Sequence, residues 1–253
     1  MRVSWAALSH PGLRRHSNED MWSARPDLGL FVVADGMGGH VAGEVASRLA
    51  VEAIEAFTSE TASVDRHRTW PFPYDPEISA NANRLKAALR IANRRIATAA
   101  ADASDLRGMA TTACAIIVDA PTVSVAHVGD SRVYLLRGED LRQVTLDHSW
   151  VEEQVRAGVM DALAARQHPW RNVVTRALSG GDDPESDVVD ISLQPGDRLL
   201  LCSDGLTSVV PADEIAQRLG ARGELEGVCA SLIDAANAAG GPDNITVLVV
   251  DVS

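Results

Sequence analysis

Several apolar runs in this chain stop at a carboxylate. FVVADG reaches Asp35, LLLCSDG reaches Asp204, and PDNITVLVV sets out from Asp243. Asp130 stands between VSVAHVG and RVYLL, and Asp20, beside Glu19, precedes the strand-like MWSAR. Short apolar runs bounded by Asp and Gly read as strands. One Asp-Gly pair is an ordinary turn signal. Five acidic strand ends in one chain are harder to dismiss, because converging strand ends would crowd their negative charges. Carboxylates so gathered must be neutralised, and a divalent cation does this best.

The remaining runs fill in an architecture. Strands are expected over 3–8, 28–34, 111–119, 122–128, 132–136, 188–193, 198–202 and 245–252. Turn signals such as Asp119-Ala-Pro and Arg137-Gly-Glu-Asp separate them, which favours antiparallel hairpins over βαβ crossovers. Two long helical patterns cover 39–57 and 81–101, the second with Leu85, Ala88, Leu89, Ala92, Ile96 and Ala99 on one face. Arg84, Lys86, Arg90, Arg94 and Arg95 occupy its other side and read as a solvated face. Further helices are expected over 212–219 and 224–238, and a polar helical segment over 148–168. Two antiparallel sheets flanked by helix pairs would bury all these faces. The fold class is therefore α+β, a four-layer α-β-β-α sandwich. It is expected as a single domain over 1–253, with a Pro- and aromatic-rich insertion loop at about 58–79.

Composition removes some functions. With 23 Lys and Arg against 35 Asp and Glu, the net charge is −12, which disfavours a nucleic-acid binder. No apolar run reaches the ~18 residues a membrane span needs, and the N-terminus lacks a signal-peptide pattern. No membrane is expected, and a cytoplasmic location follows. Cys114, Cys202 and Cys229 lie far apart without CxxC spacing and are expected as buried free thiols.

The candidate ligands are oxygens, which suit Mg²⁺ or Mn²⁺ and not zinc. VVADGMGGHVAGE (32–44) could instead be a phosphate-cradling loop. A GxGxxG reading, however, needs Gly where Val41 stands, and no GxxxxGK[ST] occurs. A glycine after a ligand Asp also lets the main-chain carbonyl approach the metal.

Taken in order, six segments resemble the metal-dependent PPM (type 2C) serine/threonine protein phosphatases, particularly bacterial members. They are RRHSNED (14–20), VVADGMGGHVAGE (32–44), MATTACA (109–115), HVGDSRVYLLR (127–137), LLLCSDGLT (199–207) and GPDNITVLVV (241–250). The resemblance implies the same layered fold with the metals at one end of the sandwich. It implies that Asp35 bridges two Mn²⁺ or Mg²⁺ ions and that the Gly36 carbonyl binds one. Asp204 and Asp243 would bind the other, and Glu19 and Asp20 would act through metal-bound waters. Asp130 would join Asp204 at a third, weaker ion, and Arg15 would grip the substrate phosphate. The implied reaction is direct attack of an activated water on phosphoserine or phosphothreonine in proteins, with no phosphoenzyme.

Where many eukaryotic members carry a histidine after Asp-Gly, this chain has Met37. His40 and His148 are alternative candidates for the acid that protonates the leaving oxygen, as is a metal-bound water. Residues 148–170 resemble the flap beside the active site, expected to tune phosphoprotein choice. A cognate Ser/Thr kinase is the expected opponent, sharing its substrates. The alternative class is a catalytically weak PPM-fold regulatory or binding module.

Overall fold

The computed structural model describes residues 1–38, 41–62 and 70–253. One sheet contains β1 (Val3–His10), β7 (Arg132–Arg137), β8 (Asp140–Gln143), β10 (Arg198–Cys202) and β11 (Ile245–Val252), in the order β1-β11-β10-β7-β8. The other contains β2 (Asp20–Arg25), β3 (Leu30–Met37), β5 (Ala113–Asp119), β6 (Thr122–Val128) and β9 (Asp187–Ser192), in the order β2-β3-β5-β6-β9. The short β4 (Ala110–Thr111) pairs with the end of β3. All pairings are antiparallel.

Alternation along each strand builds three apolar layers. Phe31 and Val33 point between the sheets with Cys114, Ile116, Leu199, Leu201, Leu248 and Val250. Leu30, Val32 and Ala34 point the other way, onto α1 (Val41–Glu60) and α2 (Ala80–Asp102). Leu200, Cys202, Val247 and Val249 meet α6 (Ala212–Leu219) and α7 (Leu225–Ala238) on the far side. Both faces of the central strands are covered, which is why their sequences run apolar without interruption. The order is α-β-β-α. All three cysteines are buried.

The expected solvated face of α2 is partly committed to packing. Arg84 donates to the Thr58 carbonyl at 2.6 Å, and Arg90 and Arg94 lie over the Phe72 ring at 5.3 and 4.4 Å. Phe72, from the described part of the insertion, enters the α1–α2 core. Residues 63–69 of that insertion lie outside the described residues. The expected 148–168 segment divides into α3 (Trp150–Arg156) and α4 (Ala162–Gln167), broken at Gly158, whose φ of +71° ends the first helix. Between β10 and α6, Asp204–Thr207 form the single-turn helix α5. Among the described residues no helix is long and apolar enough to cross a membrane.

Candidate metal centre

Strand register explains how the acidic residues meet. Asp20 and Asp35 are cross-strand partners in the β2–β3 ladder. In the other sheet, Cys202 faces both Val247 and Arg132, so Asp204, Asp243 and Asp130 leave their strands at a common end. Two bridges join the sheets there. Ser203 Oγ and Thr246 Oγ1 donate to Asp20 Oδ2 at 2.8 and 2.7 Å, and Thr112 Oγ1 meets Ser131 Oγ at 2.7 Å. The close approach needs bare backbone. A Cβ on Gly36 would lie 2.1 Å from the Gly43 carbonyl oxygen, and one on Gly205 would lie 1.9 Å from that of Asn244.

A cleft of about 420 Å³ opens on this end. Glu19, Asp35, Gly36, Asp130, Asp204 and Asp243 line it, with Arg14, Arg15 and His16 on one wall. Asp20 lies behind Asp35 and is 8% exposed. Every acidic residue singled out in the sequence is thus at or directly behind the cleft. Arg15 Nη2 donates to Asp243 Oδ2 at 2.7 Å, and that hydrogen bond raises its pKa further.

The cleft is short of positive charge. Burial, then the charges of Asp20, Asp204 and Asp130, pushes Asp35 well above the ordinary carboxylate range. Burial and Asp204 push Asp130 up to about 8, and burial and Asp243 push Asp204 up to about 6. Asp20 is pushed up to about 7 by burial, although Thr246 and Ser203 oppose the shift. Its Oδ1 is buried without a hydrogen-bond partner. An all-oxygen donor set with mutual repulsion and an unpartnered buried carboxylate oxygen fits hard divalent cations.

His148 does not line this cleft. Its side chain is 1% exposed, stacked on His127 at 4.6 Å with Asp187 alongside at 3.4 Å. Its Nδ1 accepts from the Gly129 amide at 3.1 Å, and burial with His127 pushes its pKa down to about 4. The three groups gather ligand atoms within 4.8 Å of one another. They nevertheless make a poor metal site, because the Gly129 amide occupies Nδ1 and leaves the proton on Nε2, the atom that faces Asp187. His148 is thereby a structural support for the Gly129 turn. His40 lies outside the described residues.

The residues that hold Asp35 carry no signal of that role in the sequence. Thr111 Oγ1 and the Thr112 amide both donate to the Asp35 carbonyl, at 2.8 and 2.9 Å, while Thr112 Oγ1 accepts from the Asp35 amide at 3.1 Å. MATTACA stands out as a motif, but nothing in it says which strand end it clamps. Arg132 is equally silent in the sequence. It turns its guanidinium to Asp147, at 2.7 Å for the shortest bond, and reaches Asp130 and Asp204 only through space, too weakly to offset their burial.

Comparison with known proteins identifies the family and the fold. The family model described as protein phosphatase 2C matches residues 14–236. The chain is 39% identical over 246 residues to a serine/threonine phosphatase, stp, of Listeria monocytogenes, covering 95% of this chain and 92% of that protein. Its fold superposes on the crystal structure of the Mycobacterium tuberculosis serine/threonine phosphatase PstP/Ppp with a TM-score of 0.86 at 37% identity, covering 99% of each chain. A PstP catalytic domain in complex with two manganese ions gives 0.83 at 36% identity, again covering 99% of each. With the model match extending over most of its length, the chain belongs to the protein phosphatase 2C family.

Proposed function

We propose that this chain is a metal-dependent phosphatase that hydrolyses phosphoserine and phosphothreonine in proteins. The observation that carries the reading is the gathering of Asp35, Asp130, Asp204 and Asp243 with Arg15 around one cleft. We read Asp35 and the Gly36 carbonyl, with Asp204 and Asp243, as the holders of two Mn²⁺ or Mg²⁺ ions. Glu19 and Asp20 support them, and Asp130 with Asp204 offers a weaker third position. When bound, the ions supply a nucleophilic water near neutral pH and neutralise charge on the phosphoryl group.

The chain's own residues do the rest. Arg15 presents a planar guanidinium that matches two phosphate oxygens at once. Thr111 and Thr112 fix the Asp35 backbone from both sides, so its carboxylate does not reorient as charge develops. Ser203 and Thr246 hold Asp20 Oδ2 and leave Oδ1 directed away from hydrogen-bond partners. With His148 walled off, the proton for the leaving oxygen does not come from that imidazole, and His40 or water in the cleft is left to supply it. In the cell we read the protein as a cytoplasmic opponent of a Ser/Thr kinase; the names of its relatives, serine/threonine phosphatases, support the substrate class alone.

Hydrolysis of p-nitrophenyl phosphate and of a phosphothreonine peptide tests the reading. Both activities should require Mn²⁺ or Mg²⁺ and vanish with chelator. Activity that survives chelation would contradict it.

A further inference from the structure

Arg15 sits on an irregular segment between β1 and β2 in which Arg14, Arg15 and His16 are all exposed. Such a segment has little apolar burial to hold it in one place. It nevertheless delivers Arg15 to Asp243, 228 positions away in sequence, at 2.7 Å. The middle of the segment is tied by the Leu13 amide, which donates to the Gly241 carbonyl at 2.8 Å, and its two ends are held by Asn244, which is 5% exposed. Its Nδ2 donates to the Pro11 carbonyl at 3.0 Å and to the Ser17 carbonyl at 2.9 Å. Its Oδ1 accepts from the Glu19 amide at 2.7 Å. Both amide protons and the oxygen are therefore spent on the chain that flanks Arg15.

The backbone of Asn244 is fixed in turn. Its amide donates to Asp243 Oδ1 at 2.9 Å, and its carbonyl oxygen presses against Gly205, leaving no room for a Cβ there. One side chain thus ties the Arg15 segment to the pieces that carry Asp204 and Asp243. We propose that Asn244 is a positioning residue for phosphate: by clamping both ends of the 11–17 segment it keeps Arg15 over the cleft. Aspartate has the same shape but lacks the two protons, and a longer amide does not fit between three fixed backbone groups. Without the clamp the segment gains conformations, and Arg15 spends less time where phosphate oxygens bind.

This inference rests on Arg15 as the phosphate ligand, and the experiment separates the two ideas. Inhibition by inorganic phosphate and the KM and kcat for p-nitrophenyl phosphate are measured for Arg15→Ala, Asn244→Ala and the double variant. Asn244→Ala should raise the phosphate inhibition constant and KM about tenfold while kcat stays within about threefold. In the Arg15→Ala background the same change should add less than about twofold. Hydrogen exchange in Asn244→Ala should rise over 12–19, and Mn²⁺ affinity by calorimetry should hold within about threefold. Additive effects, or an equal loss of Mn²⁺ affinity, would overturn the proposal. So would failure to fold in both Asn244→Ala and the milder Asn244→Ser, since Asn244 would then belong to the fold at large. If Arg15→Ala itself leaves phosphate inhibition unchanged, the reading of Arg15 fails first.

Discussion

The paired strands β7 and β10 have Asp197 at one end and Asp130 with Asp204 at the other, and the two ends are treated in opposite ways. Before β10, Asp197 is 1% exposed and meets Arg137, whose Nε and Nη2 donate at 2.8 and 2.7 Å. The Gln194 amide adds a third bond at 2.8 Å, and the Arg137 hydrogen bond holds the carboxyl below its usual range. At the other end Asp130 and Asp204 have no such partner, because Arg132 is drawn to Asp147. Their carboxyls are pushed up, not down. A buried aspartate supplied with a fixed arginine is part of the fold. A group of carboxylates without a fixed arginine must take positive charge from outside, which is what the proposed metal centre would supply.

Exchanging the carboxylates for amides breaks this comparison most sharply. Asp35→Asn should lower turnover by about 10³-fold or more, since it removes the proposed shared ligand for the ions. In chelator the same variant should melt higher than the parent, because the fold no longer has to hold a carboxyl away from its ionised state among Asp20, Asp204 and Asp130. Asp197→Asn should do the reverse, costing about 1–3 kcal/mol of stability with turnover retained. Thermal melts with steady-state kinetics on both variants check this, and matching outcomes at the two ends would erase the distinction.

The same contrast predicts a pH dependence. Raised carboxyl pKa values mean that the metal-free protein holds protons on Asp204 and Asp130 that ions must displace. Mn²⁺ affinity should therefore climb from about pH 6 to about pH 8, with proton release visible as a buffer-dependent heat. The unfolded chain ionises these groups near 3.8, so ionisation at neutral pH opposes the metal-free fold. His148, lowered to about 4 from 6.5, contributes stability that is complete above 6.5 and fades as pH falls toward 4. Between pH 6.5 and 8 only the carboxylates move, and the chelated protein should lose stability as pH rises. A flat profile would mean that the carboxylates are already ionised without metal.

A smaller effect is expected one layer out. Thr112→Val removes the acceptor for the Asp35 amide and the link to Ser131 but keeps the shape. Turnover should fall about tenfold, with about 1 kcal/mol of stability lost. An unchanged kcat would show that the backbone ladder alone holds Asp35.

The sequence was readable where burial on both faces forces a pattern. The expected spans 122–128, 198–202 and 245–252 match β6, β10 and β11 residue for residue. It was silent at β8, whose four residues are mostly exposed and carry no apolar alternation. The carboxylates were legible because Asp at the end of an apolar run costs energy and asks for a reason. The amide and hydroxyl groups that position them were not, since Asn244 reaches Glu19 across 225 positions and Thr112 reaches Asp35 across 77. His148 drew notice by standing at the edge of the flap in sequence, while its contacts with His127 and Gly129 turn it into the core.

Calorimetric titration of chelator-stripped protein with Mn²⁺ tests the central claim most directly. Wild type should bind at least two ions per chain, and Asp35→Asn should lose the paired stoichiometry while remaining folded. Equal stoichiometry and affinity in the two proteins would contradict the assignment of this strand end as the metal centre.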